Sequence, residues 1–334
     1  MLNQHSARWE ALGLHLPCQL ITLVNGVLPG APRLRSLRIV CEDFGRLREQ
    51  RDKGFRVFGD LPSLSDININ GICFSQLGID WINVTKIKFR SLCRDECLEL
   101  FKRAKRLVEC AILVDMSRII PNYEVTRDEI TLPSLKTLRM QFTESVDTIF
   151  DTLIIPSLND LHLQGFLRCR WLQNLLIRSS CQLLSLSLVD IVLDNLEIDS
   201  ILQKTPRLEI LRLSYNFLFF DNLFERLGHT KFIDKSSLDP EMTFLPCLHS
   251  LQCDDDQGVH FSWRLIPPMF ASAAEFDSPD SRPLCKLSIS AFNPRSIDKG
   301  IARQLWELQQ HYQLTIRDEN GADIIERSYK KHFF

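Results

Sequence analysis

Leu135-Lys136-Thr137-Leu138-Arg139-Met140 and Leu158-Asn159-Asp160-Leu161-His162-Leu163 share one pattern, L-x-x-L-x-L. Leu183-Leu184-Ser185-Leu186-Ser187-Leu188 and Leu208-Glu209-Ile210-Leu211-Arg212-Leu213 repeat it. Weaker copies read Leu34, Leu37, Ile39; Leu64, Ile67, Ile69; Val84, Ile87, Phe89; and Leu107, Cys110, Ile112. Towards the end come Leu248, Leu251, Cys253 and Leu284, Leu287, Ile289. The ten starts are separated by 30, 20, 23, 28, 23, 25, 25, 40 and 36 residues. Apolar residues two apart belong to one face of a strand, so each copy predicts a short strand with its apolar side inward. Proline stands two residues before the first leucine in six copies, at Pro32, Pro62, Pro133, Pro156, Pro206 and Pro246. Proline lacks an N–H and disfavours helix in the residue before it, so it ends the preceding segment and starts an extended one at a fixed phase.

Several connections between these strands have helical spacing. Cys97, Leu98, Leu100, Phe101, Ala104 and Leu107 follow polar Arg94-Asp95-Glu96; Trp171, Leu172, Leu175 and Leu176 form a second stretch. Ile198, Ile201 and Leu202 form a third, behind an N-cap expected at Asp194. The longest helix is expected over 297–312, with Ile301, Leu305 and Leu308 on one face. A last strand follows over 313–317, and Asn320-Gly321 signals a turn. Strand, helix and return make one coil that cannot bury its own apolar face; stacked coils can. Most intervals fall in or near the 20–29-residue range of leucine-rich repeats. The expected fold is therefore α/β, an irregular leucine-rich-repeat solenoid or horseshoe, with a parallel concave β-sheet and outer helices. It is expected as a single domain over 1–334, with an N-terminal capping segment over 1–30, repeats over 31–290 and a helix–strand cap over 291–334.

The repeats are irregular. The asparagine that braces regular horseshoes at the ninth position occurs only at Asn216, while Glu42, Thr143 and Phe166 hold the place elsewhere. The two long intervals need excursions. The stretch 234–240, Asp254-Asp255-Asp256, and Ser278-Pro-Asp-Ser-Arg-Pro283 are expected as exposed loops.

Composition agrees with a packed, leucine-framed chain. Leucine accounts for 52 of 334 residues, about 16 %, and glycine for only 13, about 4 % against a usual ~7 %. That scarcity disfavours a glycine-rich phosphate cradle. A formal charge of −2 gives no global attraction to nucleic acid or an anionic membrane. Eleven cysteines, an odd number without C-x-x-C spacing, do not make a secreted disulfide framework. MLNQHSARWE has no apolar signal region, and no apolar run approaches the ~20 residues of a membrane span. The expectation is a cytoplasmic or nuclear chain using cysteine as a small buried hydrophobe.

His5-Ser-Ala-Arg-Trp9 leading into Leu12-Gly-Leu-His-Leu16, the segment Arg94-Asp-Glu-Cys-Leu-Glu-Leu100 ending in Leu107-Val-Glu-Cys110, and Ile130-Thr-Leu-Pro-Ser-Leu135 form an ordered set. Arg178-Ser-Ser-Cys181 and Gln203-Lys-Thr-Pro-Arg-Leu208 extend it over nearly the whole chain. With these motifs the sequence resembles the C-terminal leucine-rich-repeat region of fungal F-box proteins, of the kind expanded in mushroom-forming fungi. Such proteins carry an upstream F-box of about forty residues that binds the Skp-type adaptor of a cullin ubiquitin ligase. The His-Ser-x-Arg-Trp element begins at residue 5, and no L-P-x-E-I-type element occurs elsewhere, so the expected region lacks the F-box itself. The resemblance implies a non-catalytic substrate-recognition module, bound to the adaptor only if an F-box lies upstream. The alternative is a free-standing leucine-rich-repeat scaffold or inhibitor unrelated to ubiquitin.

In an L-x-x-L-x-L strand the residue between the last two leucines faces away from the core. That column reads Arg38, Asn68, Lys88, Ala111, Arg139, His162, Ser187, Arg212, Gln252 and Ser288, four basic residues and no acidic one. Lys86 and Arg90 flank it. Arg38, Lys86, Lys88, Arg90, Arg139, His162 and Arg212 are the candidate partner-binding residues, for an acidic or phosphorylated protein segment, with Arg139 and Arg212 suited to bidentate contacts. The other reading is that these charges solvate an open face. His162 lacks an evident serine or cysteine partner in the sequence. Cys247, His249, Cys253 and His260 have ligand chemistry, but Cys253 occupies a frame position, and neighbours one or two apart on a strand are poorly placed for tetrahedral zinc. Cys93 and Cys97 are expected as a helix start and a buried thiol. The basic-aromatic tail 327–334 is expected to be frayed. No nucleophile-elbow, P-loop, zinc-protease or dinucleotide motif is present, so no cofactor, metal or enzymatic activity is expected.

Overall fold

A four-residue turn precedes most strands and sets their phase. In the computed structural model the N–H of Leu34 donates to the carbonyl of Ala31. Leu135 donates likewise to Leu132, Leu158 to Ile155, Leu208 to Thr205 and Leu248 to Leu245, all at 3.1–3.4 Å. These are i→i+3 β-turn bonds, and Pro32, Pro133, Pro156, Pro206 and Pro246 each occupy position i+1, where a fixed φ near −65° fits. The prolines therefore build the turn itself as well as ending what precedes it. Trp81–Val84 and Ala104–Leu107 close the same turn without proline. Pro62 lies outside the described residues, which are 7–17, 20, 31–42, 63–72, 74, 77–115, 128–143, 149–165, 169–191, 195–214, 220–230, 244–255, 262–270, 282–291 and 296–333.

The chain divides into two compact units, Met1–Leu158 with Arg178–Cys181, and Asn159–Ile177 with Gln182–Phe334. The first contains β1 (Ala11–Pro17), β2 (Ser36–Glu42), β3 (Asp66–Asn70), β4 (Lys86–Leu92), α1 (Arg94–Arg103), β5 (Glu109–Val114), β6 (Ile130–Thr131), β7 (Thr137–Phe142) and β8 (Leu153–Ile154). Its main strands pair in parallel in the order β1-β2-β3-β4-β5-β7, and β6 pairs in parallel with β8. Next along the chain come β9 (Asp160–Gln164), α2 (Cys169–Ser179), β10 (Ser185–Val189), α3 (Asn195–Gln203), β11 (Ile210–Ser214), α4 (Phe220–His229) and β12 (Ser250–Asp255). β13 (Lys286–Ala291), α5 (Lys299–Gln309), β14 (Gln313–Asp318) and α6 (Ile324–Phe333) follow. The second unit's parallel order is β9-β10-β11-β12-β13-β14. Two 3-10 turns, Trp263–Leu265 and Pro267–Met269, fill the long interval before β13.

Within each unit the strand order is the chain order. Parallel crossovers are right-handed, so adding every strand on the same side puts all the connections over one face of the sheet. The other face stays open, unlike that of most parallel sheets, which are covered on both sides. Burial follows. All thirty frame positions, three in each of ten copies, are at most 4 % exposed. They stack in register, for instance Leu37, Ile67, Ile87, Cys110 and Leu138 in the first unit. Each fully buried leucine contributes about 1.5–3 kcal/mol, so this ladder dominates the packing energy. At the strand starts one carbonyl serves two donors. Arg35 O accepts from Ser65 N and Asp66 N, Ser65 O from Thr85 N and Lys86 N, and Glu209 O from His249 N and Ser250 N, at 2.8–3.0 Å.

Buried polar groups tie the connections to this frame. Glu96 is fully buried in the first turn of α1, and its two carboxylate oxygens accept from Phe74 N at 3.0 Å and Cys93 N at 3.1 Å. Gly71 has φ +83°, and a Cβ there would meet Cys41 O at 2.6 Å, so only glycine fits.

Arg282 corrects the expectation of an exposed loop at 278–283. It is 6 % exposed and donates to the carbonyls of Leu227, Thr230, Phe244 and Leu245 at 2.7–3.1 Å, and also to the Thr230 hydroxyl. Leu227 is in the last turn of α4, where carbonyls lack helical partners and a cation is favourable. Burial lowers the Arg282 pKa to about 10, so the group is still charged at neutral pH. Residues 278–281 and 234–240 lie outside the described residues, as do Asp194, Phe166, Asn216 and Asp256.

The tail is also ordered differently from expectation. Residues 324–333 form α6, capped by Asp323 Oδ1, which accepts from Ile325 N and Glu326 N at 2.8 and 3.1 Å. Tyr329 stacks on Trp306 of α5 with ring centroids 4.8 Å apart. Asp254 and Asp255 belong to β12 and not to a loop.

Candidate functional site

The open face of the first unit's sheet carries three parallel lanes of side chains, fixed by strand register. The middle lane is Gly13, Arg38, Asn68, Lys88, Ala111 and Arg139, one residue from each neighbouring strand. Arg38, Lys88 and Arg139 are exposed, and Asn68 and Ala111 are half-buried. On one side runs Ser36, Asp66, Lys86, Glu109 and Thr137; on the other, Val40, Asn70, Arg90, Leu113 and Gln141. β4 thus presents Lys86, Lys88 and Arg90 in a row. Arg38, Lys86, Lys88 and Arg139 line one open depression of about 790 Å³, with Asp66 and Glu109 also on its walls.

The cations are not equivalent. Lys86 Nζ lies 2.7 Å from Glu109 Oε1, and its register neighbour on the other side is Asp66. The hydrogen bond and charge of Glu109, with a smaller contribution from Asp66, raise the pKa of Lys86. This −/+/− group satisfies itself and leaves no cation available in that lane. Arg38, Lys88 and Arg90 have no ion-pair partner among the described residues.

The second unit has a different surface. Its middle lane is His162, Ser187, Arg212, Gln252, Ser288 and Thr315. Arg212 Nη2 donates to Asp254 Oδ2 at 3.2 Å. Asp254 also accepts from Gln252 Nε2 at 2.8 Å and Ser290 Oγ at 3.0 Å. The acidic run read from the sequence as a loop therefore supplies the partner of a candidate cation. His162 Nδ1 is 2.8 Å from Ser187 Oγ, a partner that register alone reveals, since Ser187 holds the same lane position on the next strand. Ser187 is nine-tenths buried, so its hydroxyl orients the ring and has little access to a substrate.

The cysteines and histidines of the second unit do not converge. Cys253 is buried in the frame and its thiol pKa is pushed well above the ordinary value by desolvation. Cys247 is exposed, His249 Nε2 lies 3.0 Å from Cys285 Sγ, and His260 is outside the described residues. Among the described residues, no group of three or more His, Cys, Asp or Glu is placed to hold a metal ion. Cys93 precedes α1, and the Cys97 thiol is fully buried. Among the described residues, no helix is long and apolar enough to cross a membrane. No family model matches the chain, and no curated protein matches it in sequence.

Proposed function

We propose that the chain is an irregular leucine-rich-repeat solenoid whose open sheet face binds an acidic segment of a partner protein without catalysis. One observation carries this reading: strand register collects Arg38, Lys88 and Arg139 into a single exposed lane, while the acidic residues of the same depression, Asp66 and Glu109, lie in a separate lane with Lys86. Complementary charge of this kind directs encounter and partner choice. The resemblance to fungal F-box proteins supports a role as the substrate-recognition part of a ubiquitin ligase receptor.

The test is binding of a labelled polyglutamate peptide to the full chain, read by fluorescence anisotropy at low and at moderate salt. The wild type is expected to bind, more weakly as salt rises. A triple reversal, Arg38→Glu with Lys88→Glu and Arg139→Glu, is expected to abolish binding, while Arg212→Glu, whose cation already pairs with Asp254, is expected to change it little. Undiminished binding by the triple variant overturns the reading. Co-purification of the native gene product with a Skp-type adaptor tests the ligase role separately.

A further inference from the structure

His249 and Cys285 stand side by side where β12 and β13 begin, in the second unit. His249 O accepts from Cys285 N at 3.0 Å and from Lys286 N at 3.2 Å, so the main chain fixes the two residues as neighbours. Their side chains meet, with Cys285 Sγ 3.0 Å from His249 Nε2. When the ring proton is on Nδ1, Nε2 accepts the thiol hydrogen and can take it up as a base. His249 is exposed and Cys285 half-buried, so a small reagent reaches the sulfur. Cys41, Cys93, Cys97, Cys110 and Cys253, in contrast, are buried. Cys247 is exposed, two residues before His249, and makes no side-chain hydrogen bond among the described residues.

A second observation shows what the thiol adjoins. Lys286, Ser288, Gln310, Tyr312, Gln313 and Arg317 are among the residues lining an open depression of about 640 Å³. Lys286 directly follows Cys285, and Gln313 N donates to Cys285 O at 2.9 Å, so Cys285 stands at its rim. Lys286 and Arg317 are exposed and have no ion-pair partner among the described residues, and no carboxylate lines the depression. Register sets them four residues along and one strand across, about 14 Å apart at the main chain. A partly exposed thiol beside cations and a base is the setting in which thiols exchange with disulfides. We propose that Cys285 is a modification site that takes up one half of a small anionic disulfide, with His249 as the base and Lys286 and Arg317 holding the carboxylates. Cys285 Sγ attacks one sulfur of the reagent; the new S–S bond forms as the old one breaks. His249 Nε2 takes the Cys285 proton and returns it to the departing thiolate, which leaves as a thiol. The disulfide is the oxidant, and charge-assisted hydrogen bonds from the two cations select an anionic one. This site belongs to the second unit and stands apart from the acidic-segment reading of the first.

The experiment uses the reduced full chain and glutathione disulfide, which carries two carboxylates on each half. Acid-quenched samples are mapped by tandem mass spectrometry, with Cys247 as the internal control. Cys285 is expected to form the mixed disulfide roughly tenfold faster than Cys247, although it is the less exposed. His249→Ala is expected to bring Cys285 down to the Cys247 rate and to leave Cys247 itself unchanged. Lys286→Ala with Arg317→Ala is expected to slow the reaction of Cys285 with glutathione disulfide roughly threefold, and not to slow its reaction with cystamine, a cationic disulfide. Cys247 reacting as fast as Cys285, or an undiminished lead of Cys285 in His249→Ala, overturns the site. An unchanged rate with glutathione disulfide in the double variant, or an equal loss with cystamine, overturns the anionic preference. All three replaced side chains are exposed, so thermal unfolding of the variants should match that of the wild type. The comparison of the two thiols in the wild type needs no substitution and decides the site even where a variant unfolds.

Discussion

Replacing Arg282 with methionine removes a buried guanidinium of similar length from a cage of carbonyls. Five hydrogen bonds disappear, to the carbonyls of Leu227, Thr230, Phe244 and Leu245 and to the Thr230 hydroxyl. Thr230 keeps its own hydroxyl bond to Arg226 O at 2.8 Å, and Leu245 O keeps the N–H of Leu248 at 3.1 Å, so three carbonyls carry the loss. A buried acceptor left without a donor costs about 1–3 kcal/mol, a gross penalty of at least about 3 kcal/mol. Relief from burying a charge offsets part of this, because an unpaired ion in the interior is itself costly. The net expectation is a loss of about 2–4 kcal/mol. At about 2–4 °C per kcal/mol for a domain of this size, Tm falls by roughly 5–15 °C. Hydrogen exchange localises the effect, with faster exchange in α4 than in the strands of the first unit. Arg282→Gln is expected to retain part of the stability, since its amide still offers two donors to the same carbonyls. A methionine variant within about 0.5 kcal/mol of wild type in chemical denaturation refutes the argument, because it would mean that the carbonyls find other partners without cost.

Three further expectations follow from particular residues. Gly71→Ala should lose about 1–3 kcal/mol in urea unfolding, while Gly321→Ala, at φ +77° with open space around its Cβ direction, should lose only about 1 kcal/mol; equal losses would contradict the clash with Cys41 O. Glu96→Ala should cost about 2–4 kcal/mol and expose the α1 start to exchange, since both Phe74 N and Cys93 N lose their acceptor. Alkali should also weaken the fold. Desolvation raises the Cys93 thiol to about 12 and Cys181 to about 11, and holds Cys97, Cys110 and Cys253 well above the ordinary range. An unfolded thiol titrates near ~8.5. The contribution of these groups is therefore fully present below that pH and is lost as pH rises towards 11–12, where the unfolded chain has released protons that the folded chain keeps. Denaturation midpoints measured from pH 8 to 10.5 should fall, and less steeply in Cys110→Ala; a flat profile would contradict this.

The strands were legible because one residue type repeats with strand periodicity at a nearly constant interval, and the frame places every one of its thirty positions in the core. β1 was missed although it obeys the same frame: Trp9, Leu12 and Leu14 stand where the other copies have leucine, and Leu12 and Leu14 register with Leu37 and Ile39. An aromatic first residue hid the match. Arg282 was illegible for a different reason. Ser-Pro-Asp-Ser-Arg-Pro has the composition of a solvated loop, and the acceptors that bury its arginine are main-chain atoms 37–55 residues away, which carry no side-chain signature. α6 had a capping aspartate and apolar Ile324 and Ile325, but its basic residues concealed the face that meets α5. At the candidate site, the sequence placed every cation in the correct lane. It did not show that Lys86 and Arg212 are already paired, because those pairs join residues 23 and 42 positions apart through register.

The order of the strands bears on how quickly such a molecule assembles. Parallel sheets are usually slow to form, because each pairing closes a long loop before any contact repays its entropy. Here neighbouring strands within a unit start 20–40 residues apart in a chain of 334, so that their separation is only about 0.06–0.12 of its length. A growing chain can therefore lay down each rung on the one just finished, with no strand held waiting for a distant partner.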